Sequence, residues 1–388
     1  ATMKNSTRYK IVTILNRIIP KNKRKIFFFD RGLISFNEIE LARYLENNNP
    51  DHDYKLVFCT NCVDKAKSLF PNNVLVVHSD IRGLYHQLTS KYVFVEQNGH
   101  KWVCEPTPRQ KIVQLWHGTP IKRVGNLNNS RPWYKYDDAY SLVLATSNYA
   151  WQIMKACFDY NNSKRIICPY PRCDAIDRGL TEEQKMVLTG SAASRIILWL
   201  PTFRTAYYEE HSCGREDFPI LSESNAEILN HFLIKNNCVL LIKCHALQRK
   251  IPLFSNQYTH IKFIQNSDLI NQGITLYNLI GESDCLISDY SSVIFDYLLH
   301  NRPMVFTDSD FDSYKNQRGF INEELFYNLP GGMASTMSDL IDALSEALTT
   351  DPYKAERMQL NRKMNAQVPN NYCKQVLLLV GILNEKEI

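Results

Sequence analysis

Cys285-Leu286-Ile287-Ser288-Asp289-Tyr290-Ser291-Ser292-Val293-Ile294-Phe295-Asp296 reads as a short buried strand that breaks into a hydroxyl-rich turn and continues as a helix. Ser291 or Ser292 is a natural N-cap. The amides around such a start lack intrahelical partners, and the helix dipole puts partial positive charge at the same place. That combination suits phosphate. A capped strand-to-helix turn with no ligand is the other reading, and the residues expected to face the turn decide between the two.

Outward from this stretch, strands and helices alternate. Apolar runs at 25–29, 56–60, 74–78, 92–95, 111–116, 142–146 and 165–168 read as strands, and so do 195–203, 239–245, 261–264 and 304–307. Between them lie helical stretches. Ser35-Phe36-Asn37-Glu38 has the form of a capping box opening a helix towards Leu45. Ser79 caps the helix carrying Leu84 and Leu88, and Asn148 starts one reaching Phe158. Further helices are expected at 182–188, 226–235 and 276–281, and Thr336-Met337-Ser338-Asp339 caps another to Leu348. Short apolar strands alternating with helices imply parallel sheets covered on both faces.

A chain of 388 residues exceeds one ordinary core, so two domains are expected. The small, polar stretch 189–194 is the candidate linker. This divides the chain into a basic N-terminal segment (1–25), a first Rossmann-like domain (26–188), a second (195–352) and a helical tail (353–388) whose residues 376–380 are apolar enough to pack. The fold class is α/β: two doubly wound domains facing across a cleft, with ligands beyond the carboxyl ends of the strands.

Composition narrows the classes. The hydrophobic fraction is 44% and the charged fraction 22%, both globular values. No apolar run approaches membrane-spanning length, and nothing at the start resembles a signal peptide. The 11 cysteines are scattered singly apart from Cys59 and Cys62, which fits reduced thiols in a cytoplasmic protein better than zinc or a disulfide framework. The net charge of +5 is uneven. Lys4, Arg8, Lys10, Arg17, Lys21, Lys23, Arg24 and Lys25 are not interrupted by any acidic residue, and Ile11, Val12, Ile14, Leu15, Ile18 and Ile19 lie between them at roughly helical spacing. Such a segment suits an anionic membrane surface, and a packed helix that happens to be basic fits as well.

Chemistry-bearing residues cluster immediately after strands. In Gln114-Leu115-Trp116-His117-Gly118-Thr119-Pro120, an apolar run presents His117 at a strand end. Gly118 removes a neighbouring side chain, and Thr119-Pro120 has the form of a helix start. A histidine there suits a general base, or a structural hydrogen bond. Pro201-Thr202-Phe203-Arg204 follows another run, and Arg204 offers a planar fork for phosphate oxygens or a surface ion pair. Ile242-Lys243-Cys244-His245 ends a third run, so Lys243 and His245 are further phosphate candidates. Asp289 suits capping better than a divalent ion. There is no P-loop, no GxGxxG and no carboxylate cage. The expectation is therefore a phosphate-containing ligand neutralised by protein groups, without metal or other cofactor and without nucleic acid as partner.

These motifs, together with Ile121-Lys122, Pro169-Tyr170-Pro171-Arg172-Cys173-Asp174 and the Ser288 to Ser292 turn with Asp296, resemble the CDP-glycerol glycerophosphotransferases of teichoic acid and capsule synthesis, in order over residues 27–348. The resemblance implies the two-domain GT-B fold, with a C-terminal helix crossing back to the first domain. It implies His117 as the base for an acceptor hydroxyl, with Gly118, Thr119 and Lys122 on the acceptor side. His245 is implied as the second catalytic histidine, neutralising the donor diphosphate with Arg204, while Lys243, Ser288, Asp289, Ser291 and Ser292 would also serve the CDP-glycerol donor. The chain departs from the pattern at Ala246, Cys173 and Pro169, which are framing positions. The implied acceptor is a lipid-linked or polymeric glycan, and the implied location is the inner face of the cell membrane, held peripherally. Ribitol-phosphate transfer from CDP-ribitol, glycosyl transfer from a nucleotide sugar, and non-catalytic polyanion binding are the alternatives.

Overall fold

The computed structural model describes residues 7–33, 36–48, 53–70, 72–98, 100–128, 137–192, 194–202, 220–243 and 257–384. They form two compact units. One holds the described residues up to Ala175 together with those from Arg362 onward, and the other spans Ile176–Asn361.

The first unit contains seven parallel strands: β1 (Asn22–Phe29), β2 (Lys55–Thr60), β3 (Val74–His78), β4 (Ser90–Val95), β5 (Lys111–Gln114), β6 (Leu142–Ala145) and β7 (Arg165–Ile167). They lie in the order β3-β2-β1-β4-β5-β6-β7. The pairing Phe29↔Val95 joins β1 to β4, and here the strand order reverses. Phe27, Phe28, Phe58 and Phe94 are fully buried, and Phe28 stacks on Phe94 at 5.4 Å. Apolar side chains on both strand faces demand cover on both sides, which the helices supply.

The second unit contains six: β8 (Arg195–Trp199), β9 (Cys238–Lys243), β10 (Ile261–Ile264), β11 (Cys285–Ser288), β12 (Met304–Thr307) and β13 (Gly332–Ala334), in the order β10-β9-β8-β11-β12-β13. All pairs are parallel, and the order reverses between β8 and β11. Ile197, Trp199, Leu240, Ile242, Ile287 and Val305 meet the helix residues Leu229, Leu233, Leu340 and Leu344 in one core.

The observed division differs from the expected one at the linker. Residues 189–194 belong within the second unit. The helix Glu182–Thr189 is fastened to it by Lys185 to Glu282 at 2.9 Å and by Gln184 to the Gln272 carbonyl at 3.1 Å. Polar composition marked the stretch as a linker, but these contacts hold the helix leading into it, and the Thr189 hydroxyl donates to the Ser191 carbonyl at 2.6 Å. Two expected caps also shift. The helix α2 (Asn37–Asn47) starts from Phe36 in a left-handed conformation with no side-chain cap, and Ser35 lies outside the described residues. Asp80, not Ser79, caps the helix Ile81–Thr89, because the Ser79 hydroxyl is donated to Asn61 at 2.5 Å.

The expected return of the C-terminal tail is present. Thr146 and Ser147 donate to the Met364 and Lys363 carbonyls at 2.7 and 2.8 Å. The helix Tyr372–Val380 buries Val376, Leu377 and Val380. The Asp174 carboxylate receives the amides of Tyr372 at 2.6 Å and Cys373 at 2.8 Å, closing two orphan donors of that helix start. Asp174→Ala is expected to cost about 1–2 kcal/mol of stability, measured by urea denaturation. No loss would mean that water replaces the carboxylate.

Candidate active site

In the first unit the chain leaves β5 through an unusual bend. Leu115 still pairs with β4, its amide on the Val95 carbonyl at 2.7 Å. Trp116 then takes φ 60° and Gly118 φ 130°, so the backbone turns sharply on either side of His117. A left-handed non-glycine residue costs roughly 1–2 kcal/mol, and side chains hold Trp116 there. Gln114 Oε1 accepts from its amide and Asn37 Nδ2 donates to its carbonyl, both at 2.9 Å. The expected helix at Thr119 is absent. Thr119 is buried with its hydroxyl 3.3 Å from that of Thr146, so it supports the bend from within. Lys122 is half-buried in an isolated bridge.

His117 itself is exposed. Its ring stacks on Trp116 at 4.1 Å, and Nδ1 lies 2.8 Å from the Glu96 carbonyl. A carbonyl only accepts, so Nδ1 carries the hydrogen and Nε2 keeps its lone pair. The protein crowded behind the ring disfavours the charged form. This outweighs the Glu96 carbonyl, and the Arg172 guanidinium adds to it, lowering the pKa to about 4. At neutral pH the imidazole is uncharged and its open nitrogen is an acceptor.

Nearby stand three buried carboxyl groups, two of which the strand-end rule would have found had it been applied to acids. Asp30 follows β1 and Glu96 follows β4, side by side at the reversal of strand order, and Glu38 comes from the first turn of α2. Asp30 accepts from the amides of Gly32 and Leu33. Arg172 is buried with its guanidinium 4.8 Å over the Tyr170 ring, and its amide donates to Asn37 Oδ1 at 3.3 Å. Neither Asn37 nor Glu38 carries a motif signal beyond opening a helix.

In the second unit, the turn after β11 is locked from both sides. Asp289 is fully buried and accepts from the Thr202 amide at 2.9 Å and hydroxyl at 2.5 Å, tying the end of β8 to that of β11. Tyr290 is sealed against Tyr314, Phe320 and Phe326, and donates to Asp310 at 2.9 Å. Ser288 is also fully buried, 3.5 Å from the Leu200 carbonyl. The helix that follows, Val293–Tyr297, is short, and Ser292 at its start makes no side-chain cap. Ser291 accepts from the Val293 amide at 3.4 Å. The half-buried hydroxyls of Ser291 and Ser292 therefore remain the open donors of this turn. Asp296 is held inside by the Tyr277 hydroxyl. Lys243 ends β9 half-buried, while Arg204 and His245 lie outside the described residues.

Residues 11–380 match the model of the CDP-glycerol:poly(glycerophosphate) glycerophosphotransferases. The chain belongs to this family. It is accordingly a glycerophosphotransferase with CDP-glycerol as donor. A teichoic acid poly(glycerol phosphate) polymerase of Bacillus spizizenii is 27% identical over 377 residues, covering 90% of this chain and 89% of its own. A teichoic acid glycerol-phosphate primase of the same organism is 27% identical over 79% of this chain and 77% of its own. Among solved structures, the wall teichoic acid polymerase TagF is similar in fold, with TM-score 0.75 and 20% identity over 96% of this chain and 92% of that one.

His117 of this transferase is expected to titrate near pH 4, read from its ring-proton NMR signal. Because its folded pKa lies below the ordinary 6.5, the unfolded chain binds the proton more tightly. The group's contribution to stability is thus complete above pH 6.5 and is lost as pH falls through 4. A midpoint at 6.5 would mean that solvent, not the surrounding protein, sets the pKa.

Proposed function

We propose that this glycerophosphotransferase extends a teichoic-acid or capsule-type glycan, with His117 as the base. An acceptor hydroxyl loses its proton to Nε2 as its oxygen attacks the β-phosphorus of CDP-glycerol. The bond from that phosphorus to the bridging oxygen breaks, CMP leaves, and a phosphodiester to glycerol remains. The observation that carries this reading is the tautomer: the Glu96 carbonyl holds the hydrogen at Nδ1, so the exposed nitrogen can only accept. Gly118, Thr119 and Lys122 frame the acceptor side. Arg204, His245 and Lys243, with the hydroxyls of Ser291 and Ser292, offset charge on the diphosphate, the larger share of catalysis in phosphoryl transfer. Asp289 and Ser288 serve the donor from behind, by holding the turn.

His117→Gln keeps a donor for the Glu96 carbonyl but has no base. Turnover should fall by about two to four powers of ten, with CDP-glycerol binding by calorimetry unchanged. Normal turnover would refute the role. Arg204→Ala should raise the KM for CDP-glycerol and lower kcat together, and an unchanged KM would remove Arg204 from the donor site.

A lipid-linked acceptor would draw the enzyme to an anionic membrane surface, and the helix α1 (Thr7–Ile18) supports that reading. Tyr9, Val12, Thr13 and Asn16 face the protein, while Ile11, Ile14 and Ile18 are 52%, 58% and 69% exposed. An apolar stripe flanked by exposed Arg8, Lys10 and Lys23 fits a lipid headgroup layer. No helix among the described residues is long and apolar enough to cross a membrane, so contact would be peripheral. Ile14→Asp should weaken co-sedimentation with phosphatidylglycerol vesicles by about tenfold or more, from the apolar burial lost. Equal binding to phosphatidylcholine vesicles would exclude the electrostatic part.

A further inference from the structure

The first two residues of α2 reach towards His117 by separate routes. Asn37, fully buried, donates to the carbonyl of Trp116, the residue immediately before the histidine, at 2.9 Å. Glu38, also fully buried, lies beside the buried Glu96, and Glu96's backbone carbonyl receives His117 Nδ1. Among the described residues, no donor reaches either oxygen of Glu38. Two carboxyl groups can share a hydrogen bond only when one of them carries a proton.

We propose that Asn37 and Glu38 are positioning residues for His117, Asn37 through the Trp116 carbonyl and Glu38 through a proton shared with Glu96. This rests on the reading of His117 as the base. The shared proton fastens the end of β4 to the helix start, and the end of β4 supplies the carbonyl that orients the ring. Among the described residues, the charged groups that act on Glu38 are Glu96 from the end of β4 and Asp30 from the end of β1, both acidic. Burial first, and then these two neighbours, hold the Glu38 proton well above the ordinary carboxyl range. Its loss at alkaline pH would set like charges against each other inside the unit. The link would break, and the Glu96 carbonyl would lose its fixed place. The parts of this device come from three separate segments, so no local motif marks it.

The test compares wild type, Glu38→Gln and His117→Gln in CMP release across neutral and alkaline pH, with the infrared spectrum of each at neutral pH. Glutamine donates permanently and cannot titrate. Glu38→Gln is therefore expected to keep kcat within about threefold at neutral pH, less than one kcal/mol by the exponential relation of rate to barrier. It should also lose the alkaline fall in kcat shown by wild type, with KM for CDP-glycerol unchanged. A carboxylic-acid carbonyl band present in wild type and in His117→Gln should be missing from Glu38→Gln. The proposal is overturned if the alkaline limbs of wild type and Glu38→Gln coincide, if wild type lacks that band, or if glutamine cannot sustain turnover. Should His117→Gln turn over normally, the reading of the base fails, whereas the infrared result still decides whether the carboxyl pair holds its proton.

Discussion

In a parallel sheet every strand delivers its carboxyl end to the same edge, and where the strand order reverses two neighbouring chains leave in opposite directions. Polar groups at that parting are cut off from sheet partners and largely from water, so side chains must satisfy them. Both units meet this constraint, and their chemistry follows from how they meet it. In the second unit Asp289 bridges the parting by accepting the amide and hydroxyl of Thr202. Those hydrogen bonds fasten the turn carrying Ser291 and Ser292 to the end of β8. In the first unit Asp30, Glu38 and Glu96 crowd the same place, and acids can satisfy one another only through a proton.

This difference suits the division of chemical labour proposed for the two edges. Donor phosphates carry charge throughout the reaction and are best met by fixed groups, which cost no reorganisation as the transition state forms. The acceptor hydroxyl holds its proton until attack is under way, because phosphoryl transfer passes through a loose transition state with little bonding to the nucleophile. A neutral imidazole with a pKa lowered to about 4 is too weak to remove that proton beforehand. It can receive it once the oxygen has begun to bond to phosphorus. For such a base, aim matters more than strength. Asn37, Gln114 and the Glu96 carbonyl converge on aim.

The basic N-terminus shows how charge read along a chain differs from charge offered to a partner. Lys21 donates to the Asn16, Ile19 and Leu88 carbonyls, and Lys25 is buried against Thr89. Burial lowers both pKa values to about 8. Arg17 pairs with Glu105 and Arg24 with Asp53. The cluster thus divides between anchoring α1 to its unit and facing solvent, and the exposed isoleucines carry more of any lipid contact than the count of charges implies.

The sequence by itself determined the α/β class, nearly every strand and the main helices, because apolar runs of strand length alternating with capped helical stretches admit little else. The place of His117 at a strand end was equally legible, and so was the family likeness of the motifs that surround it. Three kinds of fact were decided only in the tertiary structure. A local signal marked Ser79 as a cap, yet its hydroxyl is donated to Asn61 and Asp80 caps the helix instead. The Thr119-Pro120 pair has the form of a helix start, yet the left-handed Trp116, held by Gln114 and Asn37, bends the chain into another path. Glu38 and Glu96 read as an ordinary helix opener and a strand-end acid. Their meeting needs β4 and α2 folded together, and local sequence spacing does not encode a meeting of groups fifty-eight residues apart.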